Sequence, residues 1–200
     1  TDGTADEIEK QIQLHPDRSI QLIHQGDGIG KGDAVRKGFA AASGDVLVIQ
    51  VADLTAPPED LPKFFHAWCQ GKGEYINGSR LVYPMEKQAM RFLNLLGNKF
   101  FGMLFSWLLN QRFRDTLCGT KMLSRKHYRI LAENRAFFGE FDPFGDFDLI
   151  FGSVKQNFKV VEVPVTYRAR TYGSTNISRF RHGFLLLKMS VVAFRKFKWL

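Results

Sequence analysis

Residues 46–61 read Val-Leu-Val-Ile-Gln-Val-Ala-Asp-Leu-Thr-Ala-Pro-Pro-Glu-Asp-Leu, and this stretch decides the fold. The run at 46–49 is continuously apolar, the pattern of a strand covered on both faces in a parallel sheet. Residues 51–58 form a loop at the carboxyl end of that strand. Pro57 and Pro58, whose φ is preset for a first helical turn, open a helix over 59–70. Strand, loop and helix in this order make the repeating unit of an α/β sheet, and ligands of such sheets sit outside the carboxyl ends of the strands. Asp53 stands at that place.

The pattern continues on both sides. Upstream, Asp2 caps a helix over 2–13, with Asp6, Glu7 and Glu9 in the early turns favoured by the helix dipole. Residues 19–24 alternate like a strand, 26–32 is a glycine-rich loop, and 31–43 is helical. Downstream, strands are expected at 74–79, 118–123 and 159–167, the last with Pro164 near an edge. Helices are expected at 87–110, with Gly97 or Gly102 as a break, and at 125–133, 144–156 and 177–198. The whole is a mostly parallel sheet flanked by helices, with residues 1–176 as the main domain and 177–200 as a basic amphipathic helix.

Composition excludes several classes. At 44% hydrophobic and 24% charged, the 200 residues can bury a real core. No apolar run approaches the roughly 20 residues of a membrane span; the stretch 100–109 is interrupted by Gly102 and Ser106. Cys69 and Cys118 form no CxxC and suit a reducing, cytoplasmic setting. No signal peptide is expected from the residues given, and the sequence opens on Thr1 within a turn-like Asp2-Gly3-Thr4, so an upstream part is expected to be missing. The net charge of +8 resides entirely in residues 163–200, which hold eight basic side chains and no acid. Basic residues there alternate with Phe180, Phe184, Phe194, Phe197 and Trp199, the composition of a helix lying on an anionic membrane surface. A solvated helix face is the plainer alternative. A nucleic-acid binder is not expected, because no recognition motif accompanies the charge.

The glycine-rich loop fails as a phosphate-binding signature. A Walker loop ending at Gly30-Lys31 needs Gly where Gln25 stands and Ser or Thr where Gly32 stands, and a dinucleotide fingerprint from Gly28 needs Gly at Asp33. Histidines 15, 24, 66, 127 and 182 are scattered and build no metal site. Two acidic groups stand out: Asp53 with Glu59 and Asp60, and Glu140, Asp142, Asp146 and Asp148 among phenylalanines and glycines. Carboxylates suit a hard cation or a general base, while Asp142 and Asp146 also read as helix caps.

Val51-Ala-Asp53-Leu-Thr-Ala-Pro57-Pro58-Glu59 resembles the D-x-D-L-x-x-P-P-E segment of family 2 glycosyltransferases, nearest to the dolichol- and polyprenyl-phosphate sugar transferases. Further blocks follow in that family's order: Asp2-Gly3-Thr4, Gly30-Lys31-Gly32 with Ala34, Gly44-Asp45, Gly78-Ser79-Arg80, Asp115-Thr-Leu-Cys-Gly119-Thr-Lys121, Glu162-Val-Pro164-Val165, and Arg170 with Gly173. The resemblance implies a GT-A fold, a nucleotide-sugar donor, a divalent metal (Mg2+ or Mn2+) and inversion at the anomeric carbon. It implies Asp53 as metal ligand, Lys31 and Arg80 beside the donor, and Asp148 and Asp115 as catalytic carboxylates facing the acceptor. Arg168, Arg170 and Lys121 are implied on the acceptor, a polyprenyl phosphate or a glycan. The expected setting is peripheral, on the inner face of the membrane. The sequence departs from the family at Val51, which replaces the first Asp of D-x-D, and at Thr175-Asn176, where R-x-x-G-x-S-K loses its lysine. The family's first strand, helix and second strand also have no counterpart. An acceptor that is a soluble glycan or glycolipid, and a non-catalytic binding domain of the same fold, remain as alternatives.

Overall fold

A computed structural model of the chain describes residues 3–28, 30–83, 92–137, 147–170 and 179–199. Its helices are α1 (Thr4–Leu14), α2 (Gly30–Ala41), α3 (Leu61–Cys69), α4 (Phe92–Leu109), α5 (Arg125–Glu133), α6 (Phe147–Lys155) and α7 (Arg179–Phe197). Its strands are β1 (Val46–Ile49), β2 (Tyr75–Ser79), β3 (Lys121–Ser124) and β4 (Val160–Pro164), in sheet order β1-β3-β2-β4. The α/β class expected from the sequence is the class observed.

The sheet differs from the expectation in its polarity. β3 runs antiparallel to both neighbours, with Leu47 opposite Leu123 and Ile76 opposite Met122, and only β2 and β4 pair in parallel, Tyr75 with Val160 through Ser79 with Pro164. Three strands therefore share a direction, but the one reversed strand lies between two of them, so two of the three pairings are antiparallel. Residues 19–24, expected as a strand, have no regular structure. A strand needs a neighbour's ladder of hydrogen bonds, and none of the described strands pairs with this segment.

The two-residue period of the strands divides the interior. Leu47, Ile49, Tyr75 and Leu123 enter one core, with Phe101, Phe105, Phe147 and Phe151 from α4 and α6 and Leu186, Met189 and Ala193 from α7. Ile76, Met122 and Val163 point the other way, onto Phe64 and Ala67 of α3, where Val46 and Val48 also pack. Burying each such side chain contributes about 1.5–3 kcal/mol. The helix α4 continues through Gly97 and Gly102 without a break. α3 is preceded by a single tight turn at Pro58–Asp60, so the two prolines set the entry to the helix. The expected Asp2 cap, the acids Glu140, Asp142 and Asp146, and Gly173, Thr175 and Asn176 lie outside the described residues.

Candidate active site

Arg80 follows the last residue of β2, at the carboxyl end of the strand, and meets Asp115 from the turn before β3. Its Nε and Nη2 donate to the two carboxylate oxygens at 2.7 and 2.8 Å, and its backbone N–H adds a third bond at 3.1 Å. Asp115 is fully buried and Arg80 is 14% exposed. Burial pushes the Asp115 carboxyl up, but the Arg80 charge and hydrogen bonds outweigh it and hold the group below its ordinary range. Burial acts to lower the Arg80 guanidinium, and Asp115 more than reverses this.

A buried polar frame surrounds the pair. Asn77 Nδ2 donates to the Asp115 carbonyl at 2.8 Å, and its Oδ1 accepts from Lys121 Nζ at 3.1 Å. The Lys121 ammonium, fully buried on β3, also donates to the Cys118 carbonyl. Glu162 on β4 accepts the backbone N–H groups of Arg114 and Asp115, each at 2.9 Å, and so fixes the turn that carries Asp115. Burial pushes the Glu162 carboxyl up. Gly78 lets the strands close: a Cβ there would lie 2.6 Å from Cys118 Sγ and 3.1 Å from the Thr120 carbonyl.

The loop after β1 is the second centre. Its turn is made by the Leu54 N–H donating to the Val51 carbonyl at 3.2 Å, with Leu54 at φ 51°. Asp53 Oδ1 accepts from the backbone N–H and hydroxyl of Thr55 at 3.2 and 3.0 Å, and Oδ2 accepts from Arg170 Nη2 at 2.6 Å. The segment 166–170 is strapped along this loop: Thr166 N–H donates to Asp60 Oδ2 at 2.6 Å, and Arg168 N–H to the Thr55 carbonyl at 2.9 Å. The centre of the Tyr167 ring in the same segment lies 5.1 Å from the Arg80 guanidinium carbon. One stretch of five residues thus touches both Asp53 and Arg80. Lys31 joins from the start of α2. A Cβ built on Gly119 would lie 2.4 Å from Val51 Cγ2 and 3.8 Å from Lys31 Nζ, so Lys31, Val51 and Gly119 share one notch.

The structure therefore gathers Asp53, Arg170, Lys31, Arg80 and Asp115 around the carboxyl ends of the strands, but not every expected residue. Asp148, in the first turn of α6, pairs with Arg135 Nε at 3.4 Å and lines a cavity of about 90 Å3 with Arg36, Tyr128 and Leu131. Lys121 is fully buried, held between β2 and β3 rather than facing solvent. Arg168 is exposed, and its backbone rather than its side chain makes the recorded bond. Sequence reasoning missed Asn77, Tyr167 and Thr55 and used Glu162 only as a marker. Thr55 had a signal, because Asp two residues before Thr is an Asx-turn pattern.

Among the described residues no three His, Cys, Asp or Glu side chains group to hold a metal. Asp53 nonetheless offers an oxygen suited to a cation. The guanidinium of Arg170 already stands on Oδ2, and the carboxylate keeps 18% of its surface open. A cation there would have one protein carboxylate and would draw its other ligands from phosphate or water oxygens.

The chain matches the model of the glycosyl transferase family 2 over residues 1–131. It is 29% identical over 192 residues to a dolichyl-phosphate hexose transferase of Haloferax volcanii, covering 95% of this chain and 77% of that protein. It is 30% identical over 189 residues to a dolichol-phosphate mannosyltransferase of Pyrococcus furiosus, covering 90% of this chain and 51% of the other. Against a further curated relative it spans only 28% of the length. Its fold is similar to that of glucosyl-3-phosphoglycerate synthase from Mycobacterium tuberculosis solved with Mn2+, uridine diphosphate and glucosyl-3-phosphoglycerate. The TM-score is 0.57 at 15% identity, over 98% of this chain and 65% of that one.

Proposed function

The chain belongs to glycosyl transferase family 2, and from that premise we propose that the protein containing it moves a hexose from a nucleotide-sugar donor to a polyprenyl phosphate or another membrane-associated acceptor, with inversion. The observation that supports this reading is the strap 166–170, which sets Arg170, expected on the acceptor, 2.6 Å from Asp53, expected beside the donor. A transfer reaction needs those two groups at one place.

The residues divide the work. Lys31, at the positive end of α2, faces the donor diphosphate. Asp53 is the residue that would hold a divalent cation, magnesium or manganese, and the cation would supply charge neutralisation to a diphosphate leaving group. Arg80 supports the Tyr167 side of the strap, since its guanidinium is committed to Asp115. Asp115 in turn has its oxygens taken by Arg80 and the Leu117 N–H, which makes it a poor base. Asp148, which pairs with Arg135 and lines a separate cavity, is not placed beside Asp53 to receive a proton from a hydroxyl acceptor. A lipid phosphate arrives already anionic and needs positive charge more than a base, which Arg168 and Arg170 supply.

The helices α4 and α7 support a membrane-surface setting. Leu93, Leu96, Phe100, Met103 and Trp107 on α4, and Phe184, Leu187 and Val191 on α7, are at least half exposed, while the opposite sides of both helices enter the core. Trp107 stacks on Phe194 at 6.3 Å, and Lys198 sits 5.5 Å over the Trp107 ring. Aromatic residues edged by lysine and arginine suit the surface of an anionic bilayer, here the cytoplasmic face. No helix among the described residues is long and apolar enough to cross a membrane.

The test is manganese-dependent transfer of labelled sugar from nucleotide sugars by the intact protein. Loss of turnover in Asp53→Ala supports the reading. An inert wild type beside an active Val51→Asp variant supports a second reading, a binding domain of the same fold. One observation favours that second reading: Val51 fills the notch at Gly119 as an apolar packing residue.

A further inference from the structure

Lys121, Asn77 and Glu162 stand side by side on three neighbouring strands. Asn77 of β2 is paired with Lys121 of β3 on one side and with Glu162 of β4 on the other. Side chains so paired lie on one face of a sheet. A cation and a carboxylate therefore flank a single amide, three residues before Arg80. That amide has one accepting and one donating end. Its Oδ1 takes the Lys121 ammonium at 3.1 Å, and its Nδ2 donates to the Asp115 carbonyl at 2.8 Å and to the Gly78 carbonyl at 3.1 Å. Turned over, it would set Nδ2 against the ammonium and Oδ1 against a carbonyl oxygen. The Lys121 charge thus selects the orientation in which Asn77 holds the Asp115 carbonyl. Glu162 takes the Arg114 and Asp115 N–H groups of the same turn. Lys121 and Asn77 are fully buried. A buried ammonium is costly to keep, so packing alone does not call for a lysine here.

We propose that Lys121 is a positioning residue of the transfer site, whose ammonium orients Asn77 and so sets Asp115, Arg80 and the Tyr167 ring of the strap. This rests on the reading of the strand ends as a sugar-transfer site. It goes beyond that reading by giving a role there to a buried residue that touches neither substrate. The chain of contacts is continuous. Lys121 stands on Asn77, Asn77 on the Asp115 backbone, Asp115 on Arg80, and Arg80 against the Tyr167 ring. Only a charged Lys121 does this, because a neutral amine also accepts a hydrogen bond and leaves the amide free to turn.

Amide hydrogen exchange on the intact protein tests this without any substrate. Lys121→Met is expected to speed exchange of the Arg80 and Asp115 N–H groups about tenfold, the effect of one lost buried hydrogen bond. The Arg125 N–H, which donates to the Asp45 carbonyl outside this frame, is expected to stay unchanged. A merely structural lysine speeds all three alike, and that result, or no change at Arg80 and Asp115, overturns the proposal. Lys121→Arg keeps the charge and is expected to exchange as wild type does. In an Asn77→Ala background, Lys121→Met is expected to add no more than about twofold, and a full further effect there overturns the proposal. A measurement on the wild type needs no variant to fold: the Lys121 Nζ resonance is expected at the shift of an ammonium, and the shift of a neutral amine overturns the proposal. Transfer of labelled sugar from nucleotide sugars separates the two levels. If the wild type turns over, kcat is expected to fall about tenfold in Lys121→Met and to recover in Lys121→Arg, and an unchanged kcat overturns the proposal. If the wild type is inert while exchange at Arg80 responds, the transfer reading fails and the setting of Arg80 by Lys121 stands.

Discussion

Arg80 and Asp115, 35 residues apart in sequence, close a three-bond ion pair in which the carboxylate has no exposed surface at all. A buried charge that loses its partner has nowhere to go, since water cannot replace it. Asp115→Ala is expected to lower stability by about 3–5 kcal/mol, read as a shift in urea midpoint. A surface pair such as Arg125 with Asp45 is expected to contribute less than about 1 kcal/mol in the same assay.

The same pair sets the response to acid. Asp115 and Asp60 both have carboxyls held below the ordinary range, Asp115 against burial by Arg80, and Asp60 against burial by Lys63 and the Thr166 N–H. A carboxyl depressed in the folded state stabilises fully above its unfolded value, near 4, and loses that contribution as pH falls through the folded value. Glu162, raised by burial, acts with the opposite sign: its contribution is present below the unfolded value and lost as pH rises through the folded one. Thermal unfolding followed from pH 7 to pH 3 is expected to fall less steeply in Asp60→Asn than in wild type.

Glu162 is expected to act through the turn it holds. Glu162→Ala leaves the Arg114 and Asp115 N–H groups without their acceptor, at a cost of about 1–3 kcal/mol. Amide exchange at these two positions is expected to accelerate in this variant.

Gly78→Ala places a methyl group against Cys118 Sγ and the Thr120 carbonyl, and is expected to destabilise by about 1–3 kcal/mol. Cys118→Ala in the same chain is expected to restore part of this, since it removes the sulfur but not the carbonyl. A double-mutant cycle on urea midpoints measures the coupling, and strict additivity refutes the steric account.

Trp107 and Phe184 are expected to matter for vesicles and not for folding. Each is more than half exposed, so Trp107→Glu and Phe184→Glu change stability little. Each is expected to weaken binding to anionic vesicles by about tenfold or more, the effect of withholding one large apolar side chain from the bilayer. Co-sedimentation with phosphatidylserine vesicles checks this, and unchanged binding removes α4 and α7 from the interface.

What could be read from the sequence was local. The run at 46–49, the prolines at 57 and 58 and Asp53 between them located the loop, because strand, turn and helix signals there depend on neighbouring residues. The sugar-transfer family was legible from ordered blocks around Asp53, Gly78, Asp115 and Glu162, and the match over residues 1–131 agrees with it. The alternation at 19–24 misled, because a pleat period describes a strand's faces and says nothing about whether a partner lies beside it. The reversal of β3 was equally invisible, since hydrophobic pattern carries no direction. The resemblance put Lys121 on the acceptor. It is buried because Asn77 and the Cys118 carbonyl, one of them 44 residues away, supply oxygens across the strands. Arg80 and Arg170 were found as isolated cations. Their partners, Asp115 and Asp53, were found separately, and only the folded sheet pairs them.

Asp60 joins two parts of the molecule that are otherwise held differently. It is buried at the head of α3, the helix covering the smaller core, and one of its oxygens fastens Thr166 of the strap while the other holds Lys63. Opening of α3 would therefore release one of the three ties of the strap, the others being Arg168 on the Thr55 carbonyl and Arg170 on Asp53. The strap that carries the residues proposed to face the acceptor is thereby coupled to the stability of α3, through a single buried carboxylate.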